Sequence, residues 1–342
     1  MEDQIERPEV ARLLNPPALT AYLAEHVPGD VDAPLGALRV RGGHSNETFF
    51  VWRGADRWVL RRPPLGDYLP TAHDVAREWR VISALAGTQV PVPTPILFCE
   101  DKSIIGDTFY LMSQIDGLVL RRRLPPWADD PTTRRAIGLA LVDALADLHT
   151  VDWRTAGLEG FGKPEGYLER QVRRWASQLD GARTRAIPAL DTVTAWLAAH
   201  LPASPPATIV HGDYRIDNVM YADGLPVRII GMLDWEMATL GDPLADLGYL
   251  LAFWREASDP PPALSAQDDW RLVEAPGFPT RAELAARYAE RTGRAIAPTA
   301  LAFYHALAIW KMAILLEGSY KRHLAGVTDD PFFAELERGV PA

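Results

Sequence analysis

The chain has 342 residues, 48% hydrophobic and 23% charged, which is ample for a packed core in two domains or lobes. A formal net charge of −10 argues against nucleic acid or an anionic membrane as the main partner, and the lone Cys99 excludes an internal disulfide and a cysteine metal cluster. The acidic start MEDQIERPEV is unlike a signal peptide, and the most apolar stretch, around Ala302 to Leu316, reads as too short and too polar to cross a bilayer. A soluble cytoplasmic protein is expected, and the sequence leaves its oligomeric state open.

Residues 35–62 read as strands. LGALRVRG and ETFFVWRG are joined by Gly42-Gly43-His44-Ser45-Asn46, and a turn at Gly54-Ala55-Asp56 leads into RWVLRR. A helix follows over about Ala72 to Leu85, with Val75, Trp79, Ile82 and Leu85 at helical spacing. After VPVPTP come two more β-like runs, ILFCED and TFYLMSQI. From Thr132 helices dominate: RRAIGLALVDALADLHTVDW, GYLERQVRRWASQLDGARTR and ALDTVTAWLAAHL. The segment VHGDYRIDNVMY then opens a hairpin, NVMY, turn, VRIIGMLDW, with Asp223-Gly224 as the turn signal. Further helices are expected at DLGYLLAFW, RAELAARYAERTG and LAFYHALAIWKMAILLEGSYKRHL. The order gives an α+β chain: a β-rich lobe over residues 1–113, a joint at 114–117 and a mainly helical lobe over 118–342.

VHGDYRIDN concentrates His211, Asp213, Arg215, Asp217 and Asn218 directly behind an apolar β run. A hairpin returns on itself, so residues before its first strand are expected beside those after its second, which brings Asp213 and Asn218 toward Asp234. Oxygen donors converging in this way suit Mg²⁺, which shares its site with phosphates. The spacing H-x-D-x-x-x-x-N, followed after a hairpin by Asp, matches a kinase-type site. Asp213 would orient the acceptor hydroxyl, Asn218 and Asp234 would hold Mg²⁺ against ATP, and Arg215 would offset charge on the transferring phosphoryl group. The bland alternative is that these Asx side chains cap a loop; His211 reads as structural. The β lobe offers the remaining parts in order. Gly42, Gly43, Ser45 and Asn46 form a loop suited to cover phosphates. Arg61 would pair with Glu78 on the following helix, where a kinase pattern expects lysine. Backbone groups of Ser113, Gln114 and Ile115 would line an adenine slot.

VHGDYRIDN, LDWEMATLGDPLADLGYLL and WVLRRPP together resemble the aminoglycoside phosphotransferase family, a branch of the protein-kinase-like two-lobe fold, over about residues 35 to 325. VLRRPP, HGDYRIDN and ILLEGSYKRHLAG are similar to the subgroup related to the kinase-like domains of certain acyl-CoA dehydrogenases. The resemblance implies a magnesium-dependent transfer of the γ-phosphate of ATP, or GTP, to a hydroxyl of a small molecule. In that reading Asp213 is the catalytic aspartate, Asn218 and Asp234 are the metal ligands, and Asp246 braces the catalytic loop. Asp242 follows Asp234 so soon that no activation segment fits between them, and unregulated activity is expected. A non-catalytic nucleotide-binding protein on the same fold is the alternative.

The acceptor stays open between an aminoglycoside-like molecule and a hydroxyacyl or hydroxy-acid compound. From Arg255 onward 10 Lys/Arg and 12 Asp/Glu nearly balance, which does not suit a polycation site. Arg121-Arg122-Arg123 and Lys321-Arg322 either line the acceptor site or form solvated faces. Trp153, Trp175, Trp196, Trp254 and Trp310 are expected mostly in the core, with one or two free to wall an acceptor pocket.

Overall fold

Alternating buried positions along ETFFVWR and a continuous buried run, Trp58-Val59-Leu60, in DRWVLRR build the centre of an antiparallel sheet. The computed structural model describes residues 3–40, 46–66, 74–261, 263–264, 271–327 and 332–341. The chain divides into two compact units. The first comprises residues 1–116, 156–158 and 231–236; the second comprises 117–155, 159–230 and 237–342.

The first unit begins with α1 (Pro8–Leu14) and α2 (Pro16–His26). Then come β1 (Leu35–Arg39), β2 (Glu47–Arg53), β3 (Asp56–Arg62), α3 (Val75–Leu85), β4 (Pro95–Cys99), α4 (Lys102–Ile105) and β5 (Phe109–Ser113). The five strands form one sheet in the order β1-β2-β3-β5-β4 with antiparallel pairing throughout. The expected strands and α3 are present. No helix is expected from the sequence ahead of β1, yet α1 and α2 supply much of this unit's core. Val10, Leu13, Leu14, Leu19 and Leu23 pack in one cluster with Phe49, Val51, Leu60, Phe109 and Leu111.

Two buried arginines fasten these helices to the sheet. Arg53 on β2 donates to the carbonyls of Val27 and Pro28 just past α2, at 2.7 and 3.1 Å. Arg62 on β3 donates to Leu13 at the end of α1 and, at 2.9 Å, to Ile105 at the end of α4. Helix C-terminal carbonyls carry partial negative charge and lack intrahelical donors, so a guanidinium satisfies both needs. Strand alternation assigns the adjacent arginines opposite tasks: Arg62 faces the helix ends, and Arg61 faces α3.

The second unit contains α5 (Pro131–Thr150), α6 (Tyr167–Ala182), α7 (Pro188–Ala199), β6 (Thr208–Val210) and β7 (Val219–Tyr221). It continues with β9 (Thr239–Gly241), α8 (Pro243–Phe253), α9 (Arg281–Thr292), α10 (Pro298–Leu324) and α11 (Phe332–Gly339). β7 pairs with β8 (Ile229–Met232), along which the chain re-enters the first unit. The expected hairpin therefore forms, but Ala222 N–H bonds to Arg228 carbonyl across a longer loop instead of a tight turn at Asp223-Gly224. β6 pairs with β9, so the residues between Asp234 and α8 form a short return strand.

α10 has 27 residues, and its length and composition would allow it to cross a membrane, contrary to the expectation of a short stretch. Here Phe303, Tyr304, Leu307, Trp310 and Ile314 form its buried stripe, packed against α8, α6 and α7. Trp175, Trp254 and Trp310 are buried as expected, whereas Trp196 is exposed and stacks on His200.

Replacing Arg62 with Met would leave the carbonyls of Leu13 and Ile105 without that donor. We expect Arg62→Met to lower unfolding free energy by about 2–4 kcal/mol, read as a reduced urea midpoint. Arg62→Lys should recover only part of the loss, because one ammonium cannot fork to both helix ends.

Candidate active site

β6 ends in the fully buried Ile209 and Val210 and delivers the chain to His211-Gly212-Asp213. Gly212 has φ +88°, and a Cβ there would lie 2.7 Å from the Met237 carbonyl oxygen, so only glycine fits this turn. The turn is clamped by Asp246 in the first turn of α8. Its buried carboxylate accepts the backbone N–H of His211 at 2.6 Å and of Gly212 at 2.8 Å. His149 Nε2 approaches the same carboxylate at 3.2 Å, while its Nδ1 lies 2.6 Å from the Tyr288 hydroxyl. Burial lowers the His149 pKa against the pull of Asp246, which favours a neutral ring donating from Nε2 and accepting at Nδ1. For Asp246, burial pushes the pKa up, but the His149 contact and the backbone donors outweigh it and hold the carboxyl below its usual range. The brace implied by the sequence is present, and its ties to α5 and α9 through His149 and Tyr288 were not foreseen.

Downstream of the brace, a single 3-10 turn at Ile216–Asn218 folds Asn218 back onto Asp213. Asn218 Nδ2 donates to the Asp213 carbonyl and to its Oδ2, both at 2.8 Å. Arg215 Nε lies 3.4 Å from Asp213 Oδ1, and Arg215 Nη2 lies 3.3 Å from Asp217. Tyr249 neighbours Asp213, whose charge adds to burial in raising the phenol pKa. His211 Nδ1 accepts the Asp213 N–H at 3.3 Å, and the ring is completely buried, as its structural reading required. Asp213 itself keeps 24% side-chain exposure, so its carboxylate is fixed yet reachable.

A second polar cluster forms in the first unit. Arg61 on β3 stands directly opposite Tyr110 on β5, and both turn toward Glu78 on α3. Arg61 Nε lies 3.0 Å from Glu78 Oε2, and the Tyr110 hydroxyl donates to that oxygen at 2.8 Å. Asn46 Nδ2 donates to Glu78 Oε1. Glu78 is therefore not a solvated helix residue. Burial opposes the charge on Arg61, but Glu78, followed by Tyr110 and Asp234, more than compensates and raises its pKa, so Arg61 stays cationic. Asp234 Oδ1 lies 3.7 Å from Arg61 Nη2 and is buried with no hydrogen-bond donor among the described residues. Asp234 also holds φ +65°, a strained conformation for a non-glycine residue.

These placements revise parts of the sequence reading. Asp213, Arg215 and Asn218 are together in the second unit; Arg61, Glu78 and Asp234 are together in the first. Gly42, Gly43 and Ser45 lie outside the described residues, while Asn46 is buried on Glu78 and not held ready over phosphates. The Ser113 N–H is donated to Thr94 and its hydroxyl accepts the Thr94 N–H, so strand pairing occupies this part of the expected adenine slot. Gln114 follows with a buried Oε1 that has no partner among the described residues, and Ile115 is half-buried. Arg121, Arg122 and Arg123 are exposed, and Lys321 Nζ donates to the Gly181 carbonyl in the last turn of α6, acting as a helix cap.

Among the described residues no three His, Cys, Asp or Glu side chains gather into a metal cage. Mg²⁺ needs no such cage, since it uses one or two protein oxygens and completes its shell with phosphate and water. The buried, donorless Oδ1 of Asp234 fits one such ligand. The Asn218 amide nitrogen is occupied by Asp213, which leaves its oxygen as the group suited to a cation.

A sheet unit with a buried arginine–glutamate pair and a helical unit with a braced aspartate loop define a kinase-like phosphotransferase fold. Residues 36–287 match the phosphotransferase enzyme family, and the chain belongs to it. Acyl-CoA dehydrogenase family member 11 of Gallus gallus is 39% identical over 315 residues, covering 90% of this chain and 40% of that protein. The chain thus spans about two fifths of the length of that relative. Viomycin phosphotransferase of Streptomyces vinaceus is 30% identical over 251 residues, covering 68% of this chain and 78% of that protein. A solved aminoglycoside phosphotransferase-like protein from Ralstonia eutropha is 34% identical, with TM-score 0.79 over 95% of this chain and 94% of that one.

The depressed pKa of Asp246 makes stability fall in acid. Its contribution is complete above the unfolded carboxylate value near 4 and is lost as pH drops through the lower folded value. Urea midpoints should decline through this range, and Asp246→Asn should flatten that part of the profile while costing about 2–4 kcal/mol at neutral pH.

Proposed function

We propose that this chain transfers the γ-phosphoryl group of ATP to a hydroxyl of a small molecule, with Asp213 as the catalytic base. The observation that carries the reading is Asp213 itself: a partly exposed carboxylate held by Asn218 on a loop clamped from behind by Asp246. Membership of a phosphotransferase enzyme family supports the reaction type.

In the reaction the acceptor hydroxyl hydrogen-bonds to Asp213. Its oxygen forms a bond to the γ-phosphorus as the bond from that phosphorus to the β,γ-bridging oxygen breaks and ADP leaves. The hydroxyl proton passes to the Asp213 carboxylate and then to solvent, so charge and atoms balance. Arg215, next to Asp213, would offset the negative charge gathering on the phosphoryl oxygens. Arg61, kept charged and aimed by Glu78, would bind the donor's phosphates. Mg²⁺ would be held by Asn218 and Asp234, where it supplies charge neutralisation to the phosphates when bound. Phosphoryl transfer depends mainly on such positioning and electrostatic support.

The test is ATP consumption coupled to phosphorylated-product detection by mass spectrometry, with a panel of hydroxyl acceptors. Asp213→Asn should reduce kcat by roughly 100- to 10,000-fold with ATP binding retained by calorimetry. Wild-type turnover by that variant would remove Asp213 as the base. ATP binding by the wild type without transfer to any hydroxyl would make the chain a nucleotide-binding protein and not an enzyme. Arg61→Met should instead raise the KM for ATP and leave the acceptor KM unchanged.

A further inference from the structure

α10 carries one cation inside the helical unit that no carboxylate receives. Lys311 is half-buried, and among the described residues it makes no hydrogen bond or ion pair. Its Nζ sits between two aromatic faces, 5.2 Å from the Trp175 ring centre and 5.6 Å from that of Tyr249. Tyr249 neighbours Asp213, and both it and the ammonium feel the charge of that carboxylate, so Lys311 lies close to the proposed base. Aromatic faces attract a cation but leave its hydrogen-bonding capacity unused. Burial lowers the pKa of this lysine against the pull of Asp246 and Asp213, as expected for an ammonium short of solvent and of donor-accepting partners. A methionine would fill this slot at less cost to folding, so packing alone gives no reason for a lysine here.

The neighbouring surface has the same sign. Arg174, whose charge is felt by Lys311, also lines an open cavity of about 530 Å³ beside α6. Lys163, Arg170 and Arg173 line that cavity too, and among the described residues its lining includes no carboxylate. A polycation would meet repulsion at this cationic surface, whereas an anionic molecule would be drawn to it.

Resting on the phosphotransferase reading above, we infer that Lys311 is the residue that selects the acceptor: it receives an anionic oxygen, carboxylate or phosphate, carried by the same molecule whose hydroxyl meets Asp213, while Trp175 and Tyr249 flank the carbon chain between. This favours acidic hydroxyl compounds over aminoglycosides. It moves the acceptor determinant from the exposed arginines at 121–123 and the capping Lys321 to the interior of the helical unit.

The experiment compares straight-chain hydroxy acids, hydroxyalkyl phosphates and diols of equal length, together with an aminoglycoside, for wild type and three variants. Lys311→Met should raise KM for the acidic acceptors roughly 10- to 100-fold, the size of one lost charge-assisted contact. Its kcat, its KM for ATP and its KM for the diols should stay near wild type, and its urea midpoint should not fall. Lys311→Arg should restore most of the preference, and Lys311→Glu should reverse it. A larger effect on the hydroxy acids or on the hydroxyalkyl phosphates identifies which anion the lysine serves. Equal KM changes for diols and acids in Lys311→Met, or a wild-type preference for the aminoglycoside, would overturn the inference while leaving phosphotransfer standing. Absence of transfer from wild type to every acceptor would overturn both.

Discussion

A carboxylate taken out of water must find donors, and Asp246 finds two of them in the backbone of the loop that carries Asp213. This requirement fixes more than one hydrogen bond. The His211 and Gly212 amides point inward only if the chain turns sharply there, and the turn needs the positive φ of Gly212. Once the turn is set, the 3-10 segment brings the Asn218 amide back to Asp213. The third donor, His149, anchors the arrangement to α5 and, through Tyr288, to α9. A polar network of this kind stabilises only when every member is satisfied, which is why its parts come from four separate stretches of chain.

The sheet unit solves a related problem with opposite charge. Glu78 is buried, and Arg61, Tyr110 and Asn46 converge on it from three strands or strand ends. Burial makes the pair costly to form and costlier to break by removing one member. Its consequence is a guanidinium held in one orientation, with Asp234 3.7 Å away. The adjacent Arg62 uses its charge for a different end, gathering the carbonyl termini of two helices. One strand thus supplies neighbouring arginines to a proposed nucleotide-binding cluster and to a purely structural one, and pleat alternation alone separates the two roles.

Charge distribution also bears on substrate choice. Net charge of the whole chain is −10, yet one cavity beside α6 is lined by several cations and, among the described residues, by no carboxylate. Local field near a site, and not overall charge, governs which small molecule approaches it. Membership of the phosphotransferase enzyme family therefore does not by itself fix the acceptor.

Sequence alone determined the order of β1 to β5 with α3 and of the main helices that follow, because periodicity reports which face of each element must leave water. It also determined the cluster around Asp213, because Asp213, Arg215 and Asn218 are near neighbours in the chain and their spacing is read directly. The pairing of Arg61 with Glu78 was legible from order, but the burial of Glu78 and the diversion of Asn46 onto it were not, since Tyr110 and Asn46 reach it only through strand register. The N-terminal helices escaped the reading because their apolar positions gain meaning only against Phe49, Val51 and Phe109 of the sheet. Tertiary structure likewise decided the position of Lys311. In sequence it is a polar interruption of an apolar helix; in the fold, α8 and α6 bring Tyr249 and Trp175 to either side of it. Short-range spacing carries chemistry that neighbours perform, whereas environment and partner depend on chain segments that only folding brings together.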